Sequence, residues 1–156
     1  MPNYLNIGDI APDFSAPDQN ENIVTLSSFR GSKVALYFYP KDDTPGCTKQ
    51  ACNIRDNYQA LLEAGIRVLG VSADSVESHK KFAQKYQLPF PILADPEKNI
   101  INAYGVFGEK NVYGKKTPSI FRTTYLIDEN GVIQDIIKQV KTEDHTSQIL
   151  KKIQKP

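Results

Sequence analysis

Residues 34–52 read VALYFYPKDDTPGCTKQAC, and the order of residue types along this stretch decides the fold. Val34 to Pro40 is the longest apolar run of the chain, rich in β-favouring side chains and closed by proline, which reads as a buried central strand. A polar loop, KDDTPG, follows. Cys47, Ala51, Ile54, Tyr58 and Leu61 then recur at helical spacing, and Gly65 ends the run, so one helix is predicted from the cysteine to that glycine. Outward from here, IRVLGVSA (66–73) predicts a second buried strand. DSVESHKKFAQKYQ predicts an amphipathic helix with Val76, His79, Phe82, Ala83 and Tyr86 on its apolar side. PILAD predicts a short strand, and GVFGEKNVYGKKTPS reads as a glycine-rich irregular segment. RTTYLIDENGVIQDII predicts two strands joined at Glu129-Asn130-Gly131, and Thr142 opens a last helix with Ile149, Leu150 and Ile153 inward. The stretch DFSAPDQNENIVTLSSF predicts a small N-terminal hairpin. This order describes an α/β fold of thioredoxin-like type with an N-terminal extension, a mixed central sheet with a parallel core and an antiparallel edge, flanked by helices.

The chain of 156 residues is 40% hydrophobic and 24% charged, enough for one domain, 1–156, to bury a core without staples. Lys and Arg number 19 against 18 acids, so no broad basic surface invites nucleic acid or an anionic membrane. The start, MPNYLNIGDIAPDF, lacks a basic segment leading into an apolar one, and no run approaches the roughly 18 apolar residues of a membrane span. The expected compartment is the cytoplasm. Thiols are kept reduced there, so a close cysteine pair points to catalysis, redox sensing or metal binding rather than a permanent bridge.

Structural zinc usually takes four Cys or His ligands, and this chain has two of each, with His79 on the apolar side of its own helix and His145 in the first turn of the last. The spacing C-x4-C is not the C-x-x-C of a dithiol redox motif. Five residues along an α-helix advance about 7.5 Å and turn about 140°, giving a Cα separation of ~8.6 Å. A disulfide needs less than about 7 Å, so Cys47 and Cys52 cannot be bonded within one regular helix, and any bond between them requires its first turns to unwind. Thr44 suits the N-cap, Pro45 the first helical position, and Cys47 falls in the first turn, among unpaired N–H groups that favour a thiolate. Asp42 and Asp43 oppose that effect, so a nearby cation is expected. Cys47 shares the inward stripe with Ala51 and Ile54, whereas Cys52 lies off it.

YFYPKDDTPGCTKQAC resembles the active-site segment of the peroxiredoxins, specifically the Q type or bacterioferritin comigratory proteins. The resemblance runs over nearly the whole chain, through APDF, LSSFRG, DSVESHKKFAQKYQLPFPILAD and FRTTYLID. It implies a thiol-dependent peroxidase acting on hydrogen peroxide and organic hydroperoxides, with Pro40, Thr44, Cys47 and Arg122 at the matching positions. Cys47 is then the peroxidatic nucleophile, Arg122 a donor on a strand serving thiolate and peroxide, Thr44 a hydroxyl in the pocket, and Pro40 its shield. Cys52 matches the resolving cysteine of members that carry it in the same helix, which condenses with the Cys47 sulfenic acid to a disulfide. Thioredoxin or a similar dithiol protein is the implied reductant, no cofactor is required, and a monomer or weak dimer is expected. The residue three after the peroxidatic cysteine is commonly Glu, bracing the arginine; here it is Gln50, an amide that accepts a hydrogen bond but brings no charge.

Other readings stand beside these. Thr44 is also an N-cap, His79 a packed, hydrogen-bonded residue, and Lys110, Lys115 and Lys116 a solvated loop. Tyr37, Phe38 and Tyr39 are strand residues, one face of which can wall a pocket. Rival functions are a general thiol-disulfide oxidoreductase and a redox-switched holdase or binding protein.

Overall fold

Lys33–Phe38 forms the central strand, β3, of a computed structural model that describes residues 2–153. Side chains alternate across a strand, and here both faces are apolar. Val34, Leu36 and Phe38 enter one core while Ala35 and Tyr37, followed by Tyr39, enter the other, all nearly solvent-free. Five strands make the sheet, in the order β5-β4-β3-β8-β9, with β4 at Ile66–Ser72, β5 at Ile92–Ala94, β8 at Thr123–Ile127 and β9 at Ile133–Ile137. β5, β4 and β3 run parallel, and β8 and β9 are antiparallel additions, as expected. Register places Tyr37 beside Gly70 of β4, where a Cβ would lie 2.9 Å from the tyrosine ring. Glycine at that position lets the ring lie across the neighbouring strand.

One face of the sheet is covered by α1 (Pro45–Asp56), α2 (Tyr58–Glu63), α3 (Val76–Tyr86) and α5 (His145–Ile153), through Cys47, Ala51, Ile54, Leu61, Phe82, Ile149 and Ile153. The other is covered by α4 (Asn99–Ala103) and by the N-terminal extension, through Ala11, Ala16, Leu26 and Ile100. That extension contains the expected hairpin, β1 (Ser15–Pro17) with β2 (Ile23–Thr25). Ser75 caps α3, its hydroxyl accepting from the Ser78 N–H at 3.1 Å. No helix among the described residues is long and apolar enough to cross a membrane.

Three expectations are corrected. The helix predicted from Cys47 to Gly65 is broken at Asn57, whose side chain donates to the Asn53 carbonyl at 2.8 Å. That bond competes with the helical ladder, a common effect of short amides. The irregular segment 105–119 instead forms a hairpin, β6 (Phe107–Val112) with β7 (Lys115–Ile120), turned by Tyr113 and Gly114 at φ 52° and 80°. Two successive positive φ values suit a tight hairpin turn. Residues 109–118 are exposed, so no alternation of apolar residues marked these strands, and Lys110, Lys115 and Lys116 lie on the hairpin rather than on a loop. The short α4 also has no counterpart in the sequence reading. The last helix begins at His145 rather than Thr142, with Ile149 and Ile153 buried and Leu150 partly so.

Candidate active site

The chain leaves β3 at Tyr39, turns through an exposed Pro40, and enters α1 at Pro45. Two anchors hold the loop between. Asp42, 8% exposed, accepts from the Tyr39 hydroxyl at 2.5 Å and the Ser78 hydroxyl at 2.8 Å, and pairs with His79 Nδ1 at 2.6 Å. Its own N–H donates to Asp74 at 2.8 Å. Asp43, with φ 56°, accepts from Lys85 at 2.9 Å and from the Tyr86 hydroxyl at 2.8 Å. The two aspartates that precede the cysteine are thus engaged by α3. His79 is packed and hydrogen-bonded as read from the sequence, its Nε2 donating to the Leu93 carbonyl at 2.9 Å. Asp42, Asp74 and His79 bring three ligand-type atoms within 4.8 Å of one another, but these atoms are occupied by the internal hydrogen bonds just described. The group is an anchor for the loop.

Thr44 occupies the N-cap position with extended backbone, and Pro45 starts the helix. The capping role of its side chain is corrected, because the Thr44 hydroxyl donates to the Lys41 carbonyl at 2.9 Å instead. With its proton committed there, the oxygen presents lone pairs and can only accept from a further partner. Cys47 follows in the first turn, 2% exposed, with Ala51 and Ile54 beneath it, and Cys52 is half-buried on another side of the same helix. Both thiols are free.

The expected cation is Arg122. It lies one residue before β8 rather than within a strand. The antiparallel pairing of Phe38 with Thr123 carries it to the sheet end where the loop leaves β3. Its Nη2 donates to Cys47 Sγ at 3.4 Å, and its Nη1 donates to Gln50 Oε1 at 2.6 Å. The guanidinium thus sets a permanent positive charge on the Cys47 sulfur. The Gln50 amide nitrogen lies 3.2 Å from His145 Nδ1, and His145 Nε2 lies 2.7 Å from the Thr124 hydroxyl. Burial, reinforced by the Arg122 charge, lowers the His145 pKa to about 3. The structure therefore brings Thr44, Cys47 and Arg122 to one end of the sheet, with Pro40 exposed at the edge. It adds His145, which nothing in its surrounding sequence marks.

The AhpC/TSA family profile matches residues 7–136. The chain belongs to this family of peroxiredoxins. A putative peroxiredoxin Bcp of Coxiella burnetii is 47% identical over 146 residues, covering 94% of this chain and 97% of that one. The peroxiredoxin Bcp of Escherichia coli is 45% identical over 148 residues, covering 95% of each. The solved bacterioferritin comigratory protein of Xanthomonas campestris superposes with a TM-score of 0.86 at 33% identity, covering 94% of each chain. The thioredoxin-like α/β fold read from the sequence holds, and this peroxiredoxin is a peroxidase.

Two consequences of the geometry are measurable in this peroxiredoxin. A Cβ on Gly46 would sit 3.1 Å from Arg122 Nη2 and 3.9 Å from Thr142 Cγ2. Gly46→Ala must push the guanidinium off the thiol by a few tenths of an ångström, while alanine is the better helix former by about 1 kcal/mol. The expected result is a peroxide reaction slowed by about three- to tenfold in stopped flow, with no loss of thermal stability. The second concerns pH. The His145 pKa falls from 6.5 in the unfolded chain to about 3 in the folded one, so below pH 6.5 the unfolded state binds the extra proton and stability declines with pH. By pH 5 this amounts to about 2 kcal/mol, at 1.36 kcal/mol per unit. Urea titrations at pH 7 and pH 5 should show the native protein losing that much more than His145→Asn.

Proposed function

We propose that this peroxidase reduces hydrogen peroxide and organic hydroperoxides through a Cys47 sulfenic acid and a Cys47–Cys52 disulfide, and that thioredoxin or a similar dithiol protein returns it to the reduced state. The observation that carries the reading is the Arg122 guanidinium set on the Cys47 sulfur at the first turn of α1. The Cys47 thiolate attacks one peroxide oxygen, an S–O bond forms, the O–O bond breaks, and the departing oxygen leaves as hydroxide or alkoxide. Arg122 meets the charge as it moves from sulfur to oxygen. Thr44, which can only accept, suits the O–H of the incoming peroxide. The Xanthomonas campestris protein is described with alkyl peroxide reduction activity, which supports organic hydroperoxides as substrates here.

The Cys52 thiolate then attacks the Cys47 sulfenic sulfur, releasing hydroxide and forming the disulfide. Both residues stand in one helix, about 8.6 Å apart at Cα, so the step requires α1 to open. Opening separates Gln50 from Arg122, and also Asn53 from the Glu143 carbonyl and from Thr146. We place this work in the cytoplasm and assign the chain 1–156 to one peroxiredoxin unit.

Cys52→Ser tests the sequence of steps. The first oxidation should keep its rate to within about twofold, while sulfenic acid accumulates, is trapped by dimedone and overoxidises with excess peroxide. Normal turnover of that variant with thioredoxin would remove Cys52 from the resolving role.

A further inference from the structure

Gln50 can serve Arg122 in one orientation of its amide. A guanidinium carries donors alone, so Nη1 can meet only the Gln50 oxygen, and the amide N–H groups must turn the other way. They turn inward, because Gln50 is 0% exposed. A buried N–H without an acceptor costs about 1–3 kcal/mol, so the orientation holds only if an acceptor waits there. The acceptor is Nδ1 of His145, which comes from α5, 95 positions along the chain.

His145 is itself 0% exposed, and a neutral imidazole has one donor and one acceptor. With Nδ1 accepting from Gln50, Nε2–H donates to Thr124. Hydrogen-bond polarity therefore runs unbroken: Arg122 donates to both Cys47 and Gln50, Gln50 donates to His145, and His145 donates to Thr124. The groups facing the imidazole are Gln50 from α1, Arg122 from just before β8, Thr124 from β8, and the Tyr37 ring from β3, edge-on at 5.6 Å. Burial, reinforced by the Arg122 charge, keeps the imidazole neutral.

We propose that His145 is a positioning residue for Cys47, fixing the Gln50 amide so that Arg122 is held between the Gln50 oxygen and the Cys47 sulfur. Without an acceptor at position 145, Gln50 either buries an unpaired N–H or turns over and sets its N–H groups against those of Arg122. Each outcome loosens the guanidinium. The kinetic consequence rests on the peroxidase reading; the aim of Arg122 at the sulfur does not.

The test replaces His145 with Phe, which keeps bulk without an acceptor, and with Asn, whose oxygen lies near the Nδ1 position. Cys47 ionisation is followed by thiolate absorbance against pH with no peroxide present, in a Cys52→Ser background, and the peroxide rate is measured separately. His145→Phe should raise the ionisation midpoint by about one unit, a tenfold loss of thiolate below the midpoint, and slow the peroxide reaction about tenfold. His145→Asn should recover most of both. A folded Phe variant with an unmoved midpoint and rate overturns the proposal. If the Phe variant does not fold, Asn is compared with Gln, whose amide reaches toward Thr124 and leaves a methylene facing Gln50. Equal behaviour of those two overturns it, and Asn closer to wild type supports it. Wild-type protein that fails to consume peroxide overturns the functional reading alone, because the titration still judges His145.

Discussion

Cys47→Ser is expected to abolish the reaction with stoichiometric peroxide, a loss of about 10⁴-fold or more, as for removal of other enzyme nucleophiles. The site is organised around the Cys47 sulfur: Arg122 donates to Sγ at 3.4 Å, and Gln50 holds the other guanidinium nitrogen. A serine hydroxyl in the same place remains protonated at any working pH, so Arg122 gains a neutral acceptor and no nucleophile. Stability should change little, because the smaller oxygen keeps the same donor and leaves Ala51 and Ile54 packed. Rapid mixing with equimolar hydrogen peroxide, read by intrinsic fluorescence, separates the readings. A variant that still consumed peroxide at the wild-type rate would sink the peroxidatic role of Cys47. Slow, stoichiometric oxidation of the wild type, without turnover by a dithiol, would favour the redox-switched binding protein.

His79→Leu is expected to destabilise the protein by about 3–5 kcal/mol, the cost of leaving a buried carboxylate without its partner. His79 is fully buried and Asp42 nearly so, and their 2.6 Å contact needs one proton shared between Nδ1 and Oδ2. Leucine takes away that proton and leaves a buried carboxylate with only the Tyr39 and Ser78 hydroxyls as donors among the contacts described. It also releases the Leu93 carbonyl from its partner. Urea unfolding gives the stability directly. Because Asp42 holds the loop into α1, the folded fraction should also react more slowly with peroxide at low urea. A loss below about 1 kcal/mol would show that water replaces the imidazole and that the pair is not the anchor.

The parallel core, the antiparallel edge and the N-terminal hairpin were legible because their residues carry local signals, continuous apolar runs or turn chemistry. The β6–β7 hairpin was not, since Glu109 to Pro118 face solvent and leave no pattern of burial. The break at Asn57 was hidden for another reason. Ile54, Tyr58 and Leu61 keep helical spacing across it, while the Asn57 side chain takes the Asn53 carbonyl and the Asn57 N–H turns to Ile54 instead.

The candidate site divides in the same way. Sequence by itself pointed to the chemistry: two cysteines at C-x4-C, the helix start at Thr44 and Pro45, an arginine that the resemblance set on a strand and the structure sets one residue before it, and the geometric need to unwind before any disulfide. Those properties depend on residue type and on spacing within one element. Only the tertiary structure decided what the two histidines do, because the groups that face them lie far apart in the chain. His79 meets the Asp42 carboxylate at 2.6 Å. His145 meets an amide donor and the field of Arg122, and stays neutral. One anchors the loop that delivers the cysteine, and the other orients the amide that holds its arginine.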